Sequence, residues 1–170
     1  MELRGDGFIL RGWKKGDEIS LQRNADNPNV SRYLMDRFPY PYPMEAAVAW
    51  VNTQVGQSAI QNFAIDINGD IAGGMAIELK EDVHRKTGVI GYWLAEQYWG
   101  QGIMTEAVKL LTAYAFQHFD LVRIQAAVYS KNHPSMRVLE KAGYHKEAVL
   151  HNSVYKNGEL LDEHIYAILK

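Results

Sequence analysis

The stretch GYWLAEQYWGQGIMTEA, Gly91 to Ala107, closes one apolar run and opens another, with two glycines between them. Val89 to Leu94 reads as a strand, and Ile103, Ala107, Leu110, Leu111, Tyr114 and Ala115 repeat at helical spacing to form one apolar stripe. Gly100 and Gly102 therefore stand where a strand's chain reverses into a long helix. A second strand, Leu121 to Tyr129, follows the helix. Val89 to Tyr129 is thus a strand–helix–strand unit whose two strands are expected side by side and parallel, through a right-handed crossover. Ligands of such units sit beyond the C-terminal ends of the strands, which places a site near Leu94 to Thr105.

Working outward, the chain alternates helical and extended signals. Upstream, Phe8 to Trp13 predicts a first strand, and Asp17 to Ala25 and Val30 to Asp36 predict two short helices separated by Asn27-Pro28-Asn29 as a breaker. The segment Phe38-Pro39-Tyr40-Pro41-Tyr42-Pro43 cannot be helical and forms a stiff aromatic loop. Met44 to Val55 predicts the next helix. Phe63, Ile65 and Ile67 alternate, Asn68-Gly69 suits a tight hairpin, and Ile71 to Leu79 resumes as its second strand. A charged loop, Lys80 to Lys86, leads back to the central unit. Downstream, a short helix runs from Pro134 to Ala142 with Gly143 as its stop, and Val149 to Tyr155 pairs with Leu160 to Leu169 around Asn157-Gly158. The expected fold is α/β: a mixed, mostly antiparallel sheet of about seven strands with a parallel unit at its centre and helices on both faces. No linker or repeat divides residues 1–170, so one domain is expected.

Composition narrows the chemistry. The 170 residues carry 18 Lys plus Arg against 20 Asp plus Glu, a formal charge of −2, so no basic excess points to nucleic acid. There is no Cys, which removes disulfides, thiolate nucleophiles, zinc ribbons and iron–sulfur clusters together. The six His show no HxxxH or HExxH spacing, so no metal is expected. No apolar run approaches the roughly 20 residues of a membrane span, and charges occupy Met1 to Leu10, which predicts a cytoplasmic protein without a membrane partner.

What can the glycine turn hold? Amides at a glycine-opened helix start, added to the positive end of the helix dipole, make an anion site. A Walker loop needs a Lys that Gly100 to Thr105 lacks. A dinucleotide fingerprint needs a third glycine at Thr105 and an acid after the next strand, where the sequence reads Ala127-Val128-Tyr129-Ser130. No GxSxG elbow is present. Taken alone, the turn reads equally as a bend that merely needs flexible residues.

Gln97-Tyr98-Trp99-Gly100-Gln101-Gly102 resembles the QxxGxG pyrophosphate loop of the GNAT superfamily of acetyl-coenzyme A dependent N-acetyltransferases. The wider string Gly91 to Ala107 resembles the RimJ/RimL branch, which acetylates ribosomal-protein N-termini. A second string, NHPSMRVLEKAGY at Asn132 to Tyr144, is similar to the same branch's helix after the fifth strand. The resemblance extends to the Phe38 to Tyr42 loop and the Asn157-Gly158 hairpin. It implies that acetyl-coenzyme A lies where the strand at Tyr92, Trp93 and Leu94 splays from the strand ending at Tyr129. The backbone of Trp93 and Leu94 then pairs with the pantetheine, and the loop from Gln97 through Gly100, Gln101, Gly102, Ile103, Met104 and Thr105 takes the pyrophosphate. A backbone N–H near Trp93 or Leu94 would stabilise the oxyanion of the attacked thioester. Asn132 is the family's coenzyme-contacting Asn, and Arg137 and Lys141, at i and i+4, are candidates for the 3′-phosphate. A helix cap or turn residue for Asn132 and a solvated basic face for the pair are the alternative readings.

The acid and base are less plain. The family's Tyr on this helix is Leu139 here, and its strand Glu is Val89. Ser135, on the stripe of Val138, Leu139 and Ala142, is the candidate acid that protonates the departing thiolate, with a helix-start Ser as the alternative. Glu78 is the candidate base through water, with His84 and His151 behind it; all three read also as solvated surface residues. Phe38, Tyr40, Tyr42 and Trp50 are candidates to wall the acceptor pocket, or to cover the early helices. The implied reaction is acetyl transfer to a primary amine. A protein α-amino group, pKa about 8, needs less deprotonation than a lysine amine near 10.4. A polyamine or amino-sugar acceptor and a catalytically silent acetyl-coenzyme A sensor are the alternatives. Monomer and homodimer are both open.

Overall fold

A computed structural model gives the architecture of the chain and describes residues 1–57 and 60–170. Its elements run β1 (Glu2–Gly5), β2 (Phe8–Arg11), α1 (Asp17–Ala25), α2 (Pro28–Ser31), α3 (Met44–Gln54), β3 (Asn62–Ile67) and β4 (Asp70–Leu79). They continue as β5 (Thr87–Leu94), α4 (Ile103–His118), β6 (Arg123–Tyr129), α5 (His133–Lys141), β7 (His145–Lys156) and β8 (Glu159–Leu169). The strands form one eight-stranded sheet in the order β1-β2-β3-β4-β5-β6-β8-β7. β5 and β6 pair in parallel, Thr87 to Val89 against Arg123 to Gln125, as the strand–helix–strand reading requires. The pairs β1–β2, β2–β3, β3–β4, β6–β8 and β7–β8 are antiparallel.

Two differences from the sequence reading have local causes. The strand beyond the expected seven is β1, four residues with two charges and no long alternation, which pairs with β2 at the sheet edge. The second helix is shorter and starts earlier than Val30 to Asp36. Asn27 Oδ1 accepts the Asn29 N–H at 2.8 Å, and Pro28 sits in the first turn, where its missing N–H costs nothing. Asn27-Pro28-Asn29 opens a helix rather than separating two.

The chain packs as two compact units, Met1–Ala76 with Tyr92–Ile103, and Ile77–Gly91 with Met104–Lys170. In the first, Trp13, Leu21, Ala25, Tyr42, Ala47, Val51, Ala64 and Ile71 form a core against which Phe38 and Trp93 pack. Beside it lies a buried ion cluster. Arg11 donates from Nη1 and Nη2 to both Asp17 oxygens at 2.8 and 2.9 Å, and from Nε to Asp66 Oδ2 at 2.7 Å. Main-chain N–H groups of Lys14 and Gly69 complete the two carboxylates. The hydrogen bonds Arg11 donates to Asp17 raise its pKa above the ordinary value against the opposing effect of burial.

The cluster ties the start of α1 to β2 and β3, and α1 in turn services a bulge in β4. Ile65 pairs with Gly73 but Asp66 with Ile71, so Ala72 is an extra residue. The Ile71 N–H donates to Ser20 Oγ at 3.0 Å, and its carbonyl accepts from Asn24 Nδ2 at 2.7 Å. The Ala72 carbonyl takes the Ala95 N–H at 2.7 Å, which fixes the chain just past β5.

In the second unit α4 buries Met104, Ala107, Val108, Leu111, Thr112, Tyr114 and Ala115. Thr112 Oγ1 lies 2.7 Å from the Tyr144 hydroxyl. Burial pushes Tyr144 up to about 12. α5 buries Met136 and Leu139, and Gly143 ends it at φ +94°.

Arg11→Ala leaves two buried carboxylates facing each other without a counter-ion. We expect a loss of about 3–5 kcal/mol in urea unfolding; a loss below about 1 kcal/mol would show that Asp17 and Asp66 are otherwise satisfied.

Candidate functional site

β5 leaves the sheet at Leu94, makes one tight turn at Glu96–Tyr98, and enters α4 through Trp99 to Gly102. Gly100 and Gly102 take φ +75° and +82°, and an added Cβ at either would meet no atom within 4 Å. The space beside both α-carbons is therefore clear of described atoms. The first amides of the 16-residue α4 have no carbonyl one turn earlier in the helix to bind. Non-titrating donors and the helix dipole, presented by a positive-φ glycine turn, fit a diphosphate.

Side chains brace this turn from within the same unit. Gln101 Nε2 donates to the Gln97 carbonyl at 2.9 Å, and Gln97 Nε2 to Asn24 Oδ1 at 3.0 Å. Trp99 Nε1 donates to the Leu94 carbonyl at 2.7 Å. One N–H of each glutamine amide is thus given to the protein. Met104 is buried and offers only its backbone, whereas Ile103 and Thr105 are half-buried. Glu96 accepts from Asn27 Nδ2 at 2.7 Å and from Asn29 Nδ2 at 3.2 Å, which lowers its pKa. Asn24 and Glu96 escaped sequence reasoning. The available signal was the polar row Asp17, Ser20 and Asn24 at helical spacing on the buried side of α1.

Trp93 and Leu94 are held close against β4. A Cβ on Gly73 would lie 2.4 Å from the Trp93 carbonyl oxygen, and one on Gly74 would lie 2.9 Å from Trp93 Nε1 and 3.3 Å from Trp13 Cζ2. Phe38 packs on Trp93 with centroids 5.4 Å apart and on Tyr42 at 4.9 Å, and Trp13 meets Trp50 edge-on at 6.0 Å. The four expected wall residues separate here. Tyr42 is core, 6% exposed, whereas Tyr40 and Trp50 are 53% and 37% exposed and Phe38 bridges to Trp93. Trp13, which the sequence reading passed over, joins this aromatic group; its buried Nε1 has no partner among the described residues.

In the second unit Asn132 caps α5, its Oδ1 accepting the Ser135 N–H at 3.4 Å. Ser135 is half-buried in the first turn, ahead of buried Met136 and Leu139. Arg137 and Lys141 are exposed and make no ion pair among the described residues. Glu78 is exposed and 2.8 Å from Lys80 Nζ, the arrangement of a solvated surface pair rather than of a poised base. His151 is likewise exposed, 3.1 Å from Asp162. Tyr92 is half-buried on β5.

The profile of the acetyltransferase (GNAT) domain matches residues 8–145. An uncharacterized N-acetyltransferase, p20 of Bacillus licheniformis, is 37% identical over 167 residues, 96% of this chain and 93% of that protein. A probable N-acetyltransferase, YjcK of Bacillus subtilis, is 50% identical over 84 residues; this match spans 49% of the chain and only 46% of that relative. Among solved structures, RimL, a ribosomal L7/L12 alpha-N-protein acetyltransferase in complex with coenzyme A, superposes with TM-score 0.86 at 21% identity, covering 99% and 98% of the two chains. A spermidine N-acetyltransferase from Vibrio cholerae, in complex with coenzyme A and spermine, gives TM-score 0.79 at 20% identity over 97% and 96%. At these identities the two structures establish the fold.

Gly73→Ala sets a Cβ against a main-chain oxygen that cannot swing away. The expected cost is about 1–3 kcal/mol in denaturant unfolding; wild-type stability would mean that β4 and Trp93 separate freely.

Proposed function

The chain belongs to the GNAT acetyltransferase family, and from that premise we propose that it acetylates a primary amine, preferentially the N-terminal α-amino group of a protein or peptide. Residues 1–170 then act as one acetyltransferase domain. The observation that carries the reading is the glycine turn ahead of α4, with both φ angles positive and no described atom within 4 Å of where a Cβ would stand on Gly100 or Gly102. The main-chain amides from Gly100 to Thr105 hold the diphosphate of acetyl-coenzyme A, and Tyr92, Trp93 and Leu94 line its pantetheine with backbone. Leu94 does so with one carbonyl lone pair already given to Trp99. Asn132, through the amide nitrogen its cap leaves over, and exposed Arg137 and Lys141 contact the rest of the coenzyme. When bound, the coenzyme supplies an acetyl group activated as a thioester.

For proton traffic, as the N–C bond forms and the C–S bond breaks, the Ser135 hydroxyl donates to the departing sulfur and is reprotonated through solvent water by the proton that the attacking amine gives up. With Glu78 engaged by Lys80, no strong base is assigned, which suits an amine already partly neutral at pH 7. Phe38, Tyr40, Trp50 and Trp93 flank the acceptor, and Tyr42 backs them from the core. One feature favours a peptide over a polyamine: several carboxylates of the first unit are already engaged, Asp17 and Asp66 by Arg11, Asp26 by the Tyr42 N–H, Asp70 by Arg23, and Glu96 by two asparagines. No helix among the described residues is long and apolar enough to cross a membrane. We place the reaction in the cytoplasm.

Acetyl-coenzyme A incubated with free-N-terminus peptides, spermidine and an amino-sugar, with free thiol followed, tests the acceptor. Thiol release on peptides alone supports the proposal. Faster release on spermidine moves it to polyamines, and coenzyme binding without release on any amine marks a sensor. Ser135→Ala is expected to lower kcat by about tenfold or more with coenzyme Kd unchanged, and an unaltered kcat would leave Ser135 only its place at the helix start. Glu78→Gln is expected to keep kcat within about twofold, since an exposed paired carboxylate contributes little. Gly100→Val places a β-branched residue at φ +75° and is expected to weaken coenzyme binding.

A further inference from the structure

The segment Asn27-Pro28-Asn29 has a role that neither its helix nor the reaction requires. Asn27 spends its oxygen on capping α2, through the Asn29 N–H, and turns its amide nitrogen outward to Glu96 Oε2 at 2.7 Å. Asn29 Nδ2 reaches both Glu96 oxygens at 3.2 Å. Glu96 lies immediately before Gln97, which Asn24 grips at 3.0 Å. Three asparagines from α1, its end and α2 thus hold two consecutive residues at the entry to the glycine turn. The same stretch also holds the aromatic loop: Asp26 Oδ1 accepts the Tyr42 N–H at 2.9 Å, and Gln22 Nε2 donates to the Tyr42 carbonyl at 3.0 Å.

Charge makes the arrangement informative. A carboxylate four residues ahead of Gly100, at the mouth of an anion site, opposes a diphosphate. If Glu96 acted only through its charge, removing it would tighten binding. We infer that Glu96, with Asn27 and Asn29, is a positioning clamp that holds the entry of the glycine turn in its ligand-binding shape, so that its geometric contribution outweighs its charge. The inference rests on the reading of that turn as the coenzyme site. Glu96 touches no reacting atom; it acts through the placement of Gln97 and the amides beyond it.

The test compares coenzyme A binding by calorimetry, and kcat with saturating acetyl-coenzyme A, for wild type, Glu96→Ala and Glu96→Gln. Glu96→Ala loses the acceptor oxygens and is expected to raise Kd by about tenfold while kcat stays within about twofold. Glu96→Gln keeps one acceptor for Asn27 without the charge, and is expected to bind at least as tightly as wild type. Tighter or unchanged binding by Glu96→Ala overturns the clamp, as does equal weakening in both variants. Should Glu96→Ala not fold, Asn29→Ala, which leaves the α2 cap in place, carries the same expectation and the same refutation. Failure of wild type to bind coenzyme A would instead strike the functional reading, which separates the two.

Discussion

A guanidinium sealed between two aspartates sets the geometry on which the turn into α4 depends. Arg11, Asp17 and Asp66 are each at most 8% exposed, and one positive charge faces two negative ones. Such a group is tolerated inside a protein only when every oxygen is bonded, and here main-chain N–H groups complete the set. Because the cluster joins the first turn of α1 to β2 and β3, it fixes which face of α1 looks inward. That face carries Ser20 and Asn24, which satisfy Ile71 at the β4 bulge, and Asn24 then reaches Gln97. The path from the buried ion cluster to the entry of α4 runs along α1 and ends in a side-chain bond between Asn24 and Gln97.

Much of this frame was legible in the sequence because it follows local rules. The end of α1 comes from the Asn27-Pro28-Asn29 breaker that follows it. The hairpin turns at Asn68-Gly69 and Asn157-Gly158 follow from the ease with which Asn and Gly take positive φ, +54° and +87° in the first case. The parallel β5–β6 pair follows from the crossover between them. β1 was missed because four residues at a sheet edge gain their structure from a partner strand, not from their own pattern. α2 was misplaced because Asn-Pro-Asn is ambiguous until the cap is seen to close.

The site was legible where it is made of backbone and obscure where it is made of distant side chains. Gly100 and Gly102 announce their turn in any reading, since few other residues adopt that conformation. Nothing local marks Asn24 as the partner of Gln97, 73 positions away, nor Gly73 as the place where Trp93 comes closest to β4. Aromatic residues that look equivalent in a proline-spaced run part company on burial: Tyr42 closes a core while Tyr40 faces water. Composition could name the group but not divide it, because the division is made by which face of the loop meets α1.

The grip proposed for the glycine turn, assembled from peptide N–H groups, carries no proton that comes or goes in the physiological range. Under that proposal the acidity profile of coenzyme capture mirrors the ionisation of the phosphates being captured, with the enzyme a fixed partner. It also leaves the side chains of Trp99, Gln101 and Ile103 free to drift toward other tasks, such as stiffening the bend, without redesigning what the bend recognises. Recognition here is a property of chain path, and it can be inherited through many changes of residue so long as the path is kept.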